Sequence, residues 1–168
     1  MLTTIEKGID KLVDGVGRVL SILMILMVLN VCFDVIMRYF FHNSSVGMQE
    51  LEWHFFSVII LFGTGVALKN ESHVRVDFLF ERFSARTQAL VNIYGTLLFL
   101  LPLALLILFG SFGFVRSAYV MQEISEDPGG LRYRWLIKSM IPISFGFLIF
   151  AAMGYLIKNF NLYLGAKK

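Results

Sequence analysis

Charge is scarce in this chain of 168 residues, and cysteine scarcer still. Only 16% of the residues are charged while 57% are hydrophobic, and the mean hydropathy is +0.73, which leaves too little charge to solvate a globular surface. The single cysteine, Cys32, excludes an internal disulfide and any multi-cysteine metal site. Zinc-ligand clusters, phosphate-cradling glycine loops and nucleophile-and-base arrangements are missing too, so these residues define no enzyme site. The formal net charge is only +3, and no nucleic-acid partner is expected.

Four charge-poor stretches fill most of the chain. Between Arg18 and Arg38 the only ionisable side chains are Asp34 and the thiol of Cys32, and between Glu52 and Lys69 there is only His54. From Thr87 to Val115, and again from Ser139 to Ile157, there is no Asp, Glu, Lys, Arg or His. A spanning helix needs roughly 20 mostly apolar residues, because each rises about 1.5 Å through a core about 30 Å thick. A soluble domain would alternate polar and apolar faces instead. The expected fold is an all-α integral membrane protein. One membrane domain, 1–168, holds spans near 17–40, 47–68, 88–115 and 138–158, preceded by an N-terminal amphipathic interfacial helix. In that leader Leu2, Ile5, Ile9, Leu12, Val13 and Val16 recur at helical spacing opposite Glu6, Lys7, Asp10, Lys11 and Asp14, a pattern that suits the headgroup layer or a solvated extension of the first span. The first span is too long for a signal-peptide core, and no small-residue cleavage site follows it.

The Lys/Arg distribution predicts orientation. The leader, second loop and tail carry ten such residues against five in the first and third loops, so both termini are expected in the cytoplasm.

Several local signals refine the picture. Glu50 and Glu52 suit the positive end of the second helix's dipole, and Tyr39 and Trp53 suit a membrane interface. Gly63 and Ala67 have the spacing that permits close helix approach. Val76, Phe80 and Phe83 mark one face of a short segment before the third span. That third uncharged stretch has 29 residues, so a kink at Pro102, a tilt or a projection beyond the core is expected. Pro128-Gly129 fits a type II turn. Pro142 is expected near the start of the last span.

Intramembrane charge usually has a use. Asp34 precedes Arg38 by four residues and can pair with it along one helical face, while Arg38 can alternatively reach Glu50 across the first loop. These carboxylates read either as interfacial groups reaching water or as a proton or cation site. The histidines His42, His54 and His73 raise a haem-anchor reading, but no two spans offer them at matching depth. A self-sufficient four-span dimeric transporter is the other alternative; it calls for a carboxylate near mid-span, and Asp34 lies near an end.

The order Gln49-Glu50-Leu51-Glu52-Trp53, then His73-Val74-Arg75-Val76-Asp77, then Asp127-Pro128-Gly129-Gly130-Leu131 followed by Arg134, Trp135, Lys138 and Pro142 is more specific. It resembles the small permease subunit of TRAP (tripartite ATP-independent periplasmic) transporters, over essentially the whole chain. The resemblance implies an accessory role in the bacterial inner membrane. A periplasmic solute-binding protein delivers an organic acid, and a large permease subunit carries it inward with sodium. The small subunit packs beside the large one among membrane lipids. Cofactors are then expected to be none in this chain, with sodium coupling in the large subunit. With the resemblance, Arg38, Glu50, Trp53, His73, Arg75, Asp77, Arg134, Trp135 and Lys138 become candidate structural or subunit-interface residues. The segment from Asp127 to Lys138 reads equally as turn chemistry or as a docking surface for the binding protein.

Overall fold

The structure, a computed structural model, describes residues 2–70 and 82–165. Every regular element among them is helical. Four helices, α1 (Leu2–Phe40), α2 (Val46–Lys69), α3 (Ala85–Val120) and α4 (Arg134–Gly165), are long and apolar enough to cross a membrane. The α1–α2 and α3–α4 connections share one end of the bundle, here the loop end; the N-terminal leader, the end of α2, the start of α3 and the end of α4 share the terminus end.

Only α2, with 24 residues and about 36 Å of rise, is close to a bare crossing. The leader is not a separate element: α1 runs unbroken for 39 residues, about 58 Å. Ile9 and Val13 of the leader are buried with Ala151 of α4, so part of its apolar face is covered by protein. Ser84 caps α3, accepting from the Thr87 N–H at 3.3 Å. Along α3 a π turn at Thr96–Leu100 precedes Pro102. Proline has no N–H for the Leu98 carbonyl and its ring crowds that oxygen. The wider turn, in which the Leu101 N–H reaches back to the Thr96 carbonyl, absorbs the conflict, and the helix continues. Pro142 lies further from the helix start than the sequence reading placed it, because α4 begins at Arg134; it is buried within the helix.

The bundle is organised around α4. In its most apolar stretch 39% of the residues are buried, against 11–17% in the other helices, which places α4 at the centre. One of its faces meets α2 and α3 through Leu148, Ala152 and Tyr155, which pack with Leu68 and Ala104. Ala151 turns to α1, and a Cβ added at Gly154 would lie 2.7 Å from Ile9. Small residues let backbones approach where the surrounding lipid is as apolar as the helices themselves. The tight approach on α2 falls at Gly65, where an added Cβ would meet the Phe147 ring at 2.6 Å, whereas Gly63 of the expected pair faces open space. α3 packs on α4 and touches α1 and α2 at most marginally.

The terminus end is tied by single polar links. Asn92 Nδ2 donates to Asn159 Oδ1 at 2.8 Å, and Asn159 Nδ2 donates to the Tyr155 carbonyl at 2.9 Å. Asn161 Nδ2 donates to Glu6 at 3.1 Å, Arg86 donates to the Tyr163 hydroxyl at 2.9 Å, and Lys69 forms an ion pair with Asp14.

Candidate functional site

At the loop end the chain turns out of α1 with His42 at φ 52°, and the Asn43 N–H closes on the Met37 carbonyl at 3.1 Å. α2 begins four residues later, and Asn30 of α1 donates to its Met48 carbonyl at 3.0 Å. The α3–α4 loop is folded on itself. Its arms are joined by Arg134 N–H to Glu123 carbonyl and Ser125 N–H to Leu131 carbonyl, at 3.1 and 3.2 Å. At its tip Gly129 has φ 85°, and the Gly130 N–H donates to the Asp127 carbonyl at 3.0 Å. That is the type II turn the sequence predicts: Pro fixes φ at the second position and glycine supplies positive φ at the third.

Glu50, in the first turns of α2, holds this loop. One carboxylate oxygen accepts from the Ser125 hydroxyl, and the other accepts from the Leu131 N–H at 2.5 Å. The arrangement requires glycine at position 130. A Cβ there would stand 2.4 Å from Ser125 and 2.8 Å from the Glu50 carboxylate. Gly47, a turn earlier, sits against the Gly129 carbonyl.

Beside this contact lies an open cavity of about 370 Å³. α2 lines it with Gln49, Glu50, Trp53 and His54, the loop with Asp127, and α4 with Arg134. His54 Nδ1 lies 2.6 Å from the Glu50 carbonyl, which can only accept, so Nδ1 carries the proton and Nε2 of the neutral ring is left as an acceptor. Trp53 is largely exposed, with its ring edge-on to Phe56.

The residues expected from sequence thus divide. Glu50, Trp53 and Arg134 share the cavity. Trp135 and Lys138 turn the other way, toward α3: Trp135 stacks edge-to-face with Tyr119 at 5.3 Å, and Lys138 pairs with Glu123 and lies 4.2 Å over the Phe114 ring. Arg38 pairs with Asp34 on α1, the first of the two expected partners; Glu50 is held by the loop instead. Asp34 does not reach water but is 2% exposed, with the half-exposed Arg38 carrying the pair's contact with its surroundings. His73, Arg75 and Asp77, with Val76 and Phe80, lie outside the described residues. Ser125 and the Leu131 N–H were not anticipated as partners of Glu50. The Pro-Gly-Gly run signals a turn, and nothing local signals what the turn touches.

Four long apolar helices with polar fastenings at both ends define a multi-pass membrane protein whose polar side chains join helices and loops. The chain belongs to the family described as "Tripartite ATP-independent periplasmic transporters, DctQ component", which matches residues 27–162. The motif resemblance read from the sequence is thereby confirmed, and the chain is a component of a transporter family. It is 25% identical over 134 residues to the "Sialic acid TRAP transporter permease protein SiaT" of Haemophilus influenzae (strain 86-028NP), covering 80% of this chain and 21% of that protein. The chain thus spans about a fifth of the length of that relative.

Proposed function

We propose that this chain is the small membrane subunit of a TRAP-type transporter. It packs against and supports a large permease subunit that carries an organic acid inward with sodium, after delivery by a periplasmic binding protein. The family match over residues 27–162 carries this reading. The matching relative supports it, since this chain corresponds to a minor part of a much longer protein named as a TRAP permease. The polar residues described above lend further support, because they join helix to helix and helix to loop, as a scaffold requires. Copurification tests the reading. The chain is expected to come out of detergent with a large permease and to transport nothing when reconstituted alone. Sodium-driven uptake of an organic acid by this chain without other subunits would refute it.

The terminus end faces the cytoplasm of a bacterial inner membrane in this proposal, on the ten-to-five Lys/Arg asymmetry. Reporter fusions after Asn43 and Gly130 then read external and one after Ser72 internal; opposite signals reverse the orientation. His73, Arg75 and Asp77 fasten the cytoplasmic end or its partner. An Arg75→Ala, Asp77→Ala double variant is expected to lower the yield of assembled complex and slow uptake with solute preference unchanged. Unaltered assembly returns the three residues to a solvated loop.

A further inference from the structure

The polar cavity at the loop end continues into an apolar one. Trp53 walls both it and a groove of about 410 Å³ between α2 and α4. Phe56, Ile60 and Leu61 line the groove from α2, and Ile137 and Ile141 from α4. These positions extend the same helix faces that carry Gln49 and Trp53 on α2 and Arg134 on α4, at spacings of three and four residues. The two cavities form one trough, polar at the helix ends and apolar below. From Gln49 to Leu61 the helix rises about 18 Å. One leaflet supplies about half of a 30 Å hydrocarbon core plus its interface, so the lengths agree.

Two opposite charges face the polar end. The Arg134 guanidinium and the Asp127 carboxylate both line it, and neither forms an ion pair among the described residues. Glu50, between them, is occupied by Ser125 and Leu131. Arginine matches a phosphate oxygen pair, a carboxylate matches a primary ammonium, and exposed tryptophan suits the boundary between headgroup and chain.

We infer that this trough binds one phospholipid with a primary-amine headgroup, its phosphate at Arg134, its ammonium at Asp127 and an acyl chain along Phe56, Ile60 and Ile141. A quaternary ammonium headgroup keeps the phosphate contact but has no hydrogen to donate to Asp127. An anionic headgroup brings like charge toward Asp127 and Glu50. A protein helix would cover the apolar groove as well, but it does not account for the pair of opposite charges at the mouth. The inference goes beyond the transport role and depends only on the membrane-spanning helices.

Native mass spectrometry of the full chain tests it, with the detergent-purified protein titrated with dioleoyl phosphatidylethanolamine, phosphatidylcholine or phosphatidylglycerol. One ethanolamine lipid is expected to be retained at a concentration about tenfold below that needed for the other two. Asp127→Asn, at an exposed turn, is expected to abolish this preference while binding persists. Ile60→Trp fills the groove at a position that is 50% exposed and is expected to weaken retention of all three lipids with thermal unfolding unchanged. Equal retention of the three lipids by the unaltered protein overturns the proposal, as does an Asp127→Asn variant that keeps the full preference. Loss of a copurifying protein in Ile60→Trp with lipid retention intact also overturns it, and assigns the groove to a protein helix.

Discussion

The two ends of the bundle are fastened in different ways. At the loop end one carboxylate, Glu50, gathers two donors from a loop 75 and 81 residues away, and a glycine is required where the loop crosses it. At the terminus end the links are one-to-one: Asn92 with Asn159, Asn161 with Glu6, Arg86 with Tyr163, Lys69 with Asp14. The first arrangement concentrates dependence on a single group, so its parts fail together. The second distributes dependence, so each link fails alone.

Breaking the loop end at its tightest point gives the largest effect. Gly130→Ala places a Cβ inside the contact between Ser125 and Glu50, and overpacking of this kind costs about 2–3 kcal/mol. Unfolding in detergent measures it, and a loss below about 0.5 kcal/mol, the range of ordinary surface substitutions, means the loop does not rest on Glu50.

Glu50→Ala comes next, at about 2 kcal/mol, because the Ser125 hydroxyl and the Leu131 N–H lose their acceptor together. Glu50→Gln is expected to cost less, since one oxygen still accepts. The Gly130→Ala, Glu50→Ala double variant is expected to lose little more than the worse single variant, because both changes strike one contact. Full additivity in that cycle contradicts the picture of a shared fastening.

At the terminus end the effects shrink. Asn159→Ala removes a side chain that is 1% exposed and strands the Asn92 amide, at about 1 kcal/mol, in line with interhelical hydrogen bonds in membranes. A larger loss than for Glu50→Ala would invert the comparison. Lys69→Ala is expected to change stability by no more than about 0.5 kcal/mol and to lose even that in salt, because Asp14 is 56% exposed.

How much of this was legible varies with the kind of signal. The type II turn at Asp127–Gly130 was readable because turn chemistry is carried by adjacent residues. The Asp34–Arg38 pair was readable for the same reason, at one helical turn, although the burial of Asp34 was not. Pro102 announced a local disturbance; its form, a π turn on the N-terminal side, depended on how the helix re-paired its carbonyls. Arg134, Trp135 and Lys138 stood out together in the sequence, yet they face two different neighbours. Positions one and four residues apart on a helix point in directions that only the surrounding helices make meaningful.

The sequence by itself determined the class of this protein, its four spans and its family. Crossing a bilayer is a one-dimensional requirement on length and charge, and the family motifs are local runs of residues. Only the tertiary structure decided that α4 is the central helix, that Gly65 rather than Gly63 takes the close approach, and that Glu50 holds the far loop. A membrane helix is apolar on the side that meets lipid and on the side that meets protein, so composition does not distinguish the two. The choice between them is made by small residues and by hydrogen bonds between positions far apart in the chain.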